Sequence, residues 1–470
     1  MKPKIGLIVF AEGRQREDVY QARKPAADRE TAKLISALSG DALVVPARPL
    51  EVRAKEDLLA ALESLESQGV DSILLSVPTF VQAALAAKGV RLATRPCMLL
   101  GNNAPDTYSQ VGFFAAAGAI EQAGLPYRRI TGDIAEKSVL DEILLYSRAV
   151  AADRAISGKT YGMIGGRSLG ISTGTTDPAL WLRLFGIDIE HLDQLTLVQE
   201  AEKIPDEDVK HHTEWIKRHY GEVRFQEGRF EEAHLDRMVR SYLAVRELIK
   251  RYSLDFVGIK CQPELSNGFV LQCLTVQLLN DRYDADGPKV SVPCSCEADC
   301  DGALTMELLK QLSDGKPTAL QDIFSVGEDK LVLANCGSSA SYFAALSDDQ
   351  DKNLKEVYLI PHGFGAAGGA ATQFPFAPGV YTYARLVRTP EGYRMLYFLG
   401  NVEKTEREDL KKYVWYRPTA VIRNSVNAKL FSQTFACNHL HCTSGDFTRE
   451  LSEYCKLKGI SSIRLDEGTK

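Results

Sequence analysis

The strongest constraint in this sequence is a rhythm. Across residues 1–156, short apolar runs alternate with segments of helical spacing. Ile5–Phe10, Ala42–Ala47, Ser72–Val77 and Met98–Gly101 read as strands, with helices predicted over Ala26–Leu38, Lys55–Ser67 and Phe80–Lys88. Strands this short and this poor in charge are expected to be covered on both faces. The alternation predicts a parallel, doubly wound sheet with right-handed crossovers. Ligands on such a sheet sit beyond the carboxyl ends of its strands, which here lead into Glu12-Gly13-Arg14 and Asn102-Asn103.

A helix over Val139–Ile156 closes this first domain, and Ser157-Gly158-Lys159 reads as a linker. A second α/β domain, residues 157–316, opens with a strand at Tyr161–Ile164 and the turn Gly165-Gly166. It continues through helices near Glu207–Tyr220 and Glu231–Arg251, a strand at Phe256–Lys260 and a helix at Gly302–Leu312. The run Asp314-Gly315-Lys316-Pro317 is a strong helix stop. Residues 317–470 then turn β-rich, with strands predicted at Leu331–Asn335, Val357–Pro361, Val380–Val387 and Tyr393–Leu399. A hairpin breaker lies at Thr389-Pro390-Glu391-Gly392, and a helix at Phe447–Lys458 and a strand at Ser461–Leu465 close the chain. The expected class is α/β: two doubly wound domains followed by a mostly β, barrel-like C-terminal domain.

Composition narrows the function. Fifty-six Lys and Arg against 62 Asp and Glu give a net charge of -6, so no basic footprint for nucleic acid is present. No apolar run approaches the roughly 18 residues of a membrane span. The apolar run after Lys4 is short and soon charged, so no signal peptide is expected. Ten cysteines in such a chain are expected to be reduced thiols in the cytoplasm.

Three motifs could carry chemistry. Gly165-Gly166-Arg167-Ser168-Leu169-Gly170 misses the dinucleotide fingerprint in its spacing and lacks the acidic partner, so a tight structural turn is the better reading. Cys294-Ser295-Cys296-Glu297-Ala298-Asp299-Cys300-Asp301 and Cys437-Asn438-His439-Leu440-His441-Cys442 are rich in ligand atoms but fit the paired cysteines of structural zinc poorly. Strand alternation would turn Glu297 and Asp299 one way and Cys296 and Cys300 the other. An oxygen-rich face suits a harder ion, Mn²⁺ or Mg²⁺. The helix predicted between Glu297 and Asp322 can fold back and bring these acids together, with His439 at the end of a later segment. For each acid alone, a solvated or helix-capping role remains the plain alternative.

The order of several segments resembles the L-fucose/L-arabinose isomerase superfamily nearly end to end. They are Ile164–Gly170, Thr173–Pro178, Phe185–Asp188, Gly258–Glu264, Glu297–Leu304, Leu320–Asp322, His362–Gln373 and the pair Asn438-His439. The resemblance implies three domains, a Mn²⁺ site (with Mg²⁺ or Co²⁺ as substitutes) between the second and third, and interconversion of an aldose with its ketose. Carried over by position, Glu297, Asp322 and His439 would bind the metal, and Glu297 and Asp322 would also shuttle protons. Lys260, Gln262 and Asn438 fall on pocket positions. Arg14 falls near an arginine that in relatives reaches a neighbouring subunit's pocket, and a homo-oligomer, hexameric or trimer-based, is implied.

This chain departs from the arabinose-type pattern, which has a further histidine ligand where Asn335-Cys336 stands here. His441 is two residues beyond His439, so in an extended segment it would share its face and could approach the pocket; a surface or supporting place is the alternative. The expected substrates are a neutral sugar of the L-fucose, D-arabinose or L-arabinose type, or the 6-sulfo sugar sulfoquinovose, converted to sulfofructose. Lys260, Arg14, Arg16 and Arg167 are the cations that could meet an anionic carbon 6. Two other readings remain beside this one, a non-catalytic sugar-binding protein of the same architecture and a nucleotide-dependent oxidoreductase.

Overall fold

The computed structural model describes residues 2–13, 16–413, 417–423 and 426–467. The chain forms two compact units, Met1–Arg154 and Ala155–Lys470.

In the first unit, five parallel strands lie in the spatial order Leu43–Val52, Lys4–Phe10, Ser72–Val77, Cys97–Gly101, Arg128–Thr131. This 2-1-3-4-5 order is one of the two common doubly wound arrangements. Helix Lys55–Ser67 buries Leu58, Ala61 and Leu65, the spacing that puts side chains on one helical face. The Asp57 carboxylate accepts the backbone N–H groups of Arg53 and Ala54, both at 3.0 Å, and so fixes the start of that helix. A side chain at Gly6 would stand 2.8 Å from Leu65, so the helix closes on the central strand only because that residue is glycine.

Two expectations for this unit need correction. The first helix runs Glu17–Leu38, through Pro25, and does not begin at Ala26. Glu17 and Asp18 favour the earlier start by placing negative charge at the helix amino end. The strand Arg128–Thr131 had no apolar run to announce it, because an edge strand with two arginines needs only Ile130 in the core.

The second unit holds a four-stranded parallel sheet in the order Cys294–Cys296, Phe256–Ile259, Thr160–Ile164, Asp188–Leu192. It also holds a seven-stranded antiparallel-rich sheet, in the order Gly379–Thr389, His439–Ser444, Ala319–Val326, Lys330–Ala334, Thr419–Arg423, Gly392–Val402, Ser461–Arg464. Gly379–Thr389 also pairs with Gly392–Val402 through a two-residue turn at Pro390-Glu391, which closes six of the strands into a barrel. Ser461–Arg464 pairs in parallel outside the closed set. Closure removes the sheet edges, the usual route to aggregation.

Helix Cys300–Leu312 packs against strands of both sheets and is buried along almost its whole length, including Glu307 and Lys310. It joins the two sheets into one unit. The strand that precedes Glu297 is short, Cys294–Cys296. Beyond it the alternation fails, because Glu297 and Ala298 are both left-handed, with φ of 58° and 53°, and Cys300 already begins the helix. All ten cysteines are free thiols. No helix among the described residues is long and apolar enough to cross a membrane.

Candidate active site

The site grows from the carboxyl end of the Cys294–Cys296 strand, the place where a parallel sheet presents ligand-binding loops. Two successive non-glycine residues in the left-handed region are costly and persist only where the surroundings impose them. Here the Ala298 N–H donates to the Ile259 carbonyl at 3.1 Å, tying the turn to the next strand. Asp299 then caps the helix, accepting the Gly302 N–H at 3.0 Å. The turn thereby leaves Glu297 and Asp299 on opposite nitrogens of the His439 ring, Glu297 near Nε2 and Asp299 on Nδ1.

The barrel supplies the other two residues. Asp322 and His439 are direct register partners on neighbouring antiparallel strands, which puts their side chains on the same face. The pairing of Ala319–Val326 with its other neighbour is broken between Ile323 and Ser325, immediately after Asp322. Such bulges re-aim side chains beside functional sites.

These elements bring Glu297, Asp322 and His439 together. The His439 Nε2 lies 3.5 Å from a Glu297 oxygen and 3.5 Å from an Asp322 oxygen. Its Nδ1 hydrogen-bonds the Asp299 carboxylate at 2.7 Å. Arg385 in turn grips both Asp299 oxygens, at 2.6 and 3.0 Å. Arg385 and Asp299 are buried, whereas the side chains of Glu297 and Asp322 keep 15% and 27% of their surface open. The accessible side of the site is therefore the carboxylate side.

Burial opposes the Asp299 charge, but the Arg385 guanidinium and His439 outweigh it and hold the carboxyl well below its usual range. Burial pushes the Asp322 carboxyl up to about 6, helped by Cys336 and Glu297 and resisted by His439. Burial also disfavours a charged His439, yet its bonds to Asp299 and Glu297 and the surrounding negative charge raise its basicity well above the ordinary value.

The donor set suits a divalent cation. Three carboxylates face one imidazole and one buried guanidinium, leaving an excess of two negative charges when His439 is neutral. In the neutral ring, with Nδ1–H donated to Asp299, Nε2 carries the lone pair, the arrangement that metal-bound histidines use. Asp299, Cys437 and His439 also bring ligand atoms within 4.8 Å of one another. Asp299 is already committed there to Arg385 and to Nδ1, so the Nε2 face with Glu297 and Asp322 is the better cradle.

The remaining expected residues are placed less centrally. Lys260 follows the adjacent strand Phe256–Ile259, and its ammonium donates to Glu264 at 2.7 Å. Gln262 is half-buried and its carbonyl accepts the Ser168 hydroxyl at 3.0 Å. Asn438 is exposed, and its carbonyl accepts the Ile323 N–H at 3.1 Å. His441 is fully buried, not at the surface; burial and the Arg385 charge depress its basicity. A Cβ on Gly302 would stand 2.6 Å from its Nε2. Arg167 is exposed, Arg16 pairs with Asp18 at 2.7 Å in the first unit, and Arg14 lies outside the described residues.

Sequence reasoning assigned no task to Asp299 or Arg385. Asp299 sat in plain view among the acids of its motif, but the assumed strand alternation hid its distinct direction. Arg385 carried no local signal, because its partner is 86 residues away.

The family described as L-fucose isomerase, C-terminal domain, matches residues 333–464. A sulfoquinovose isomerase of Alkalicoccus urumqiensis is 22% identical, over 89% of this chain and 91% of its own length. One from Priestia aryabhattai is 22% identical, over 79% and 80%, and one from Clostridium sp. (strain MSTE9) is 22% identical, over 68% and 69%. Over residues 333–464 the chain is thus similar to the L-fucose isomerase C-terminal domain, and along most of its length to sulfoquinovose isomerases.

Proposed function

We propose that this chain is a divalent-metal-dependent aldose–ketose isomerase acting on a 6-sulfo sugar, sulfoquinovose to sulfofructose. The observation that carries the proposal is the convergence of the Glu297 and Asp322 carboxylates on His439 Nε2, each at 3.5 Å. Glu297, Asp322 and His439 would hold Mn²⁺, with Mg²⁺ or Co²⁺ as substitutes. When bound, the ion supplies Lewis-acid stabilisation of the negative charge that develops on adjacent sugar oxygens.

The protein's own part is proton handling. Aldose–ketose exchange moves one proton between neighbouring carbons and another between their oxygens. Two carboxylates on one open face can divide that work, one taking the carbon-bound proton and returning it to the next carbon, the other serving the hydroxyl. Asp299 and Arg385 keep the imidazole in the tautomer and orientation that leave Nε2 free.

The sulfo sugar is favoured by the names of the curated relatives and by the cations Lys260 and Arg167 at neighbouring strand ends, since guanidinium and ammonium groups suit oxyanions. The homo-oligomeric assembly, trimer-based, is part of the same proposal and is read by light scattering. The deciding experiment incubates the Mn²⁺-loaded protein in D₂O with sulfoquinovose, L-fucose, D-arabinose and L-arabinose, and follows by NMR the ketose, deuterium at its C1 and deuterium at C2 of the recovered aldose. Ketose from sulfoquinovose supports the proposal. Turnover of a neutral sugar alone shifts the substrate, and no ketose from any of them overturns it.

A further inference from the structure

Cys296, the last residue of its strand, directly precedes Glu297. Its sulfur lies 3.3 Å from that of Cys336, so the two side chains already point at each other. Cys336 belongs to a loop held on both sides. The Asn335 side-chain oxygen accepts the N–H groups of Gly337 and Ser338, at 3.0 and 2.6 Å. His362 binds the Cys336 carbonyl at 2.8 Å, and because its Nδ1 accepts the Phe364 N–H, its Nε2 is the donor. A third thiol, Cys273, donates to the same carbonyl at 3.5 Å. Cys296 is buried among Met306 and Leu320, while Cys336 is half-buried.

We propose that Cys296 and Cys336 form a peroxide-sensitive dithiol that closes to a disulfide and switches off the neighbouring Glu297. The Cys336 sulfur attacks one oxygen of hydrogen peroxide, the O–O bond breaks, and a sulfenic acid and one water result. The Cys296 sulfur then attacks the Cys336 sulfur, the S–S bond forms and a second water leaves. Two thiols lose two electrons in all and peroxide gains them. A disulfide needs its sulfurs about 2.05 Å apart, so the present contact must shorten by about 1.2 Å. With Cys336 pinned by Asn335 and His362, that movement falls on Cys296 and is passed to the Glu297 turn. Displacements of about 1 Å at a catalytic centre can cost about 10²-fold in rate.

The inhibitory half of this inference rests on the isomerase reading; the cross-link does not. Metal-loaded protein is treated with hydrogen peroxide, and its peptides are mapped without reduction beside a count of free thiols and, on whichever sugar is turned over, an activity assay. The expected result is a Cys296–Cys336 peptide cross-link, two fewer thiols, a loss of activity of at least about 10-fold and recovery with dithiothreitol. Cys336→Ser and Cys296→Ala each abolish the cross-link, and Cys273→Ser leaves it. Sulfinic acid on Cys336, or a bond to Cys273, overturns the assignment. A cross-linked protein of full activity overturns the switch. A reduced protein inactive on every sugar refutes the isomerase reading, while the cross-link still decides the dithiol.

Discussion

Asp322 and His439 are exact register partners on adjacent strands, yet the Asp322 oxygen and His439 Nε2 remain 3.5 Å apart. That is longer than a good hydrogen bond. It is close to the spacing of two donors that share a small ion at bond lengths of about 2.0–2.2 Å. Glu297 repeats the same separation from a different sheet. The spacing fits the proposed ion held between the residues better than it fits bonds among them.

Replacing either carboxylate by its amide keeps shape and removes proton affinity. Glu297→Gln and Asp322→Asn should each lower kcat by about 10²–10⁴, with unchanged circular dichroism. Steady-state kinetics on the sugar that is turned over measure this, and a variant retaining more than a tenth of the rate removes its residue from the proton-transfer pair.

Metal removal should be visible without any substrate. A ligand that binds only the folded chain stabilises it, by about 2.7 kcal/mol at a hundredfold excess over its dissociation constant. Adding Mn²⁺ to chelator-treated protein should therefore raise the melting temperature. The rise should vanish in the Glu297→Gln/Asp322→Asn double variant, and an equal rise there would place the ion elsewhere.

Arg385 is fully buried against Asp299. Arg385→Met leaves that carboxylate buried with only His439 and the Gly302 N–H to offset its charge, and loss of one partner of a buried pair costs about 3–5 kcal/mol in comparable cases. Urea denaturation should show the loss. Asp299→Asn strands the buried Arg385 charge in the same way and is expected in addition to weaken Mn²⁺ binding about 10–100-fold, as loss of a histidine's outer partner does elsewhere, and calorimetry would read it.

The pH dependence can be tested away from the site, at Asp281. Burial raises its carboxyl to about 6 against the pull of Lys289, while Ser341 and Gln277 hydrogen-bond to it. In the unfolded chain the group titrates near 4, so between about pH 4 and 6 the folded state holds more protons. Its contribution to stability is complete at low pH and lost as pH rises through 6, amounting to roughly 2–3 kcal/mol. Asp281→Asn should flatten that part of the profile relative to the parent, whatever its absolute stability. Parallel slopes from pH 4 to 7 would refute the raised value.

Much of this architecture is legible in the sequence, and the exceptions have physical causes. Central strands such as Ser72–Val77 announce themselves because both faces are buried. Edge strands such as Asp188–Leu192 do not, since most of that strand's residues stay in contact with solvent. Glu297, Asp322 and His439 were singled out together only through motif order, because no local pattern says that a strand end and a barrel strand will meet. The left-handed Glu297 and Ala298 defeated the alternation rule, and with it the reading of Asp299. The cations expected at carbon 6 could not be sorted by sequence either, as Lys260 turns out to be bonded to Glu264.

Helix Cys300–Leu312 lies between the two sheets that carry the site, Glu297 on one and Asp322 with His439 on the other. The distance among the donors is thus set by how those layers are seated on a single shared spacer. Substitutions far down that helix, with no contact to any sugar, are positioned to retune the gauge of the site. A mild denaturant should abolish metal capture while both sheets are still intact.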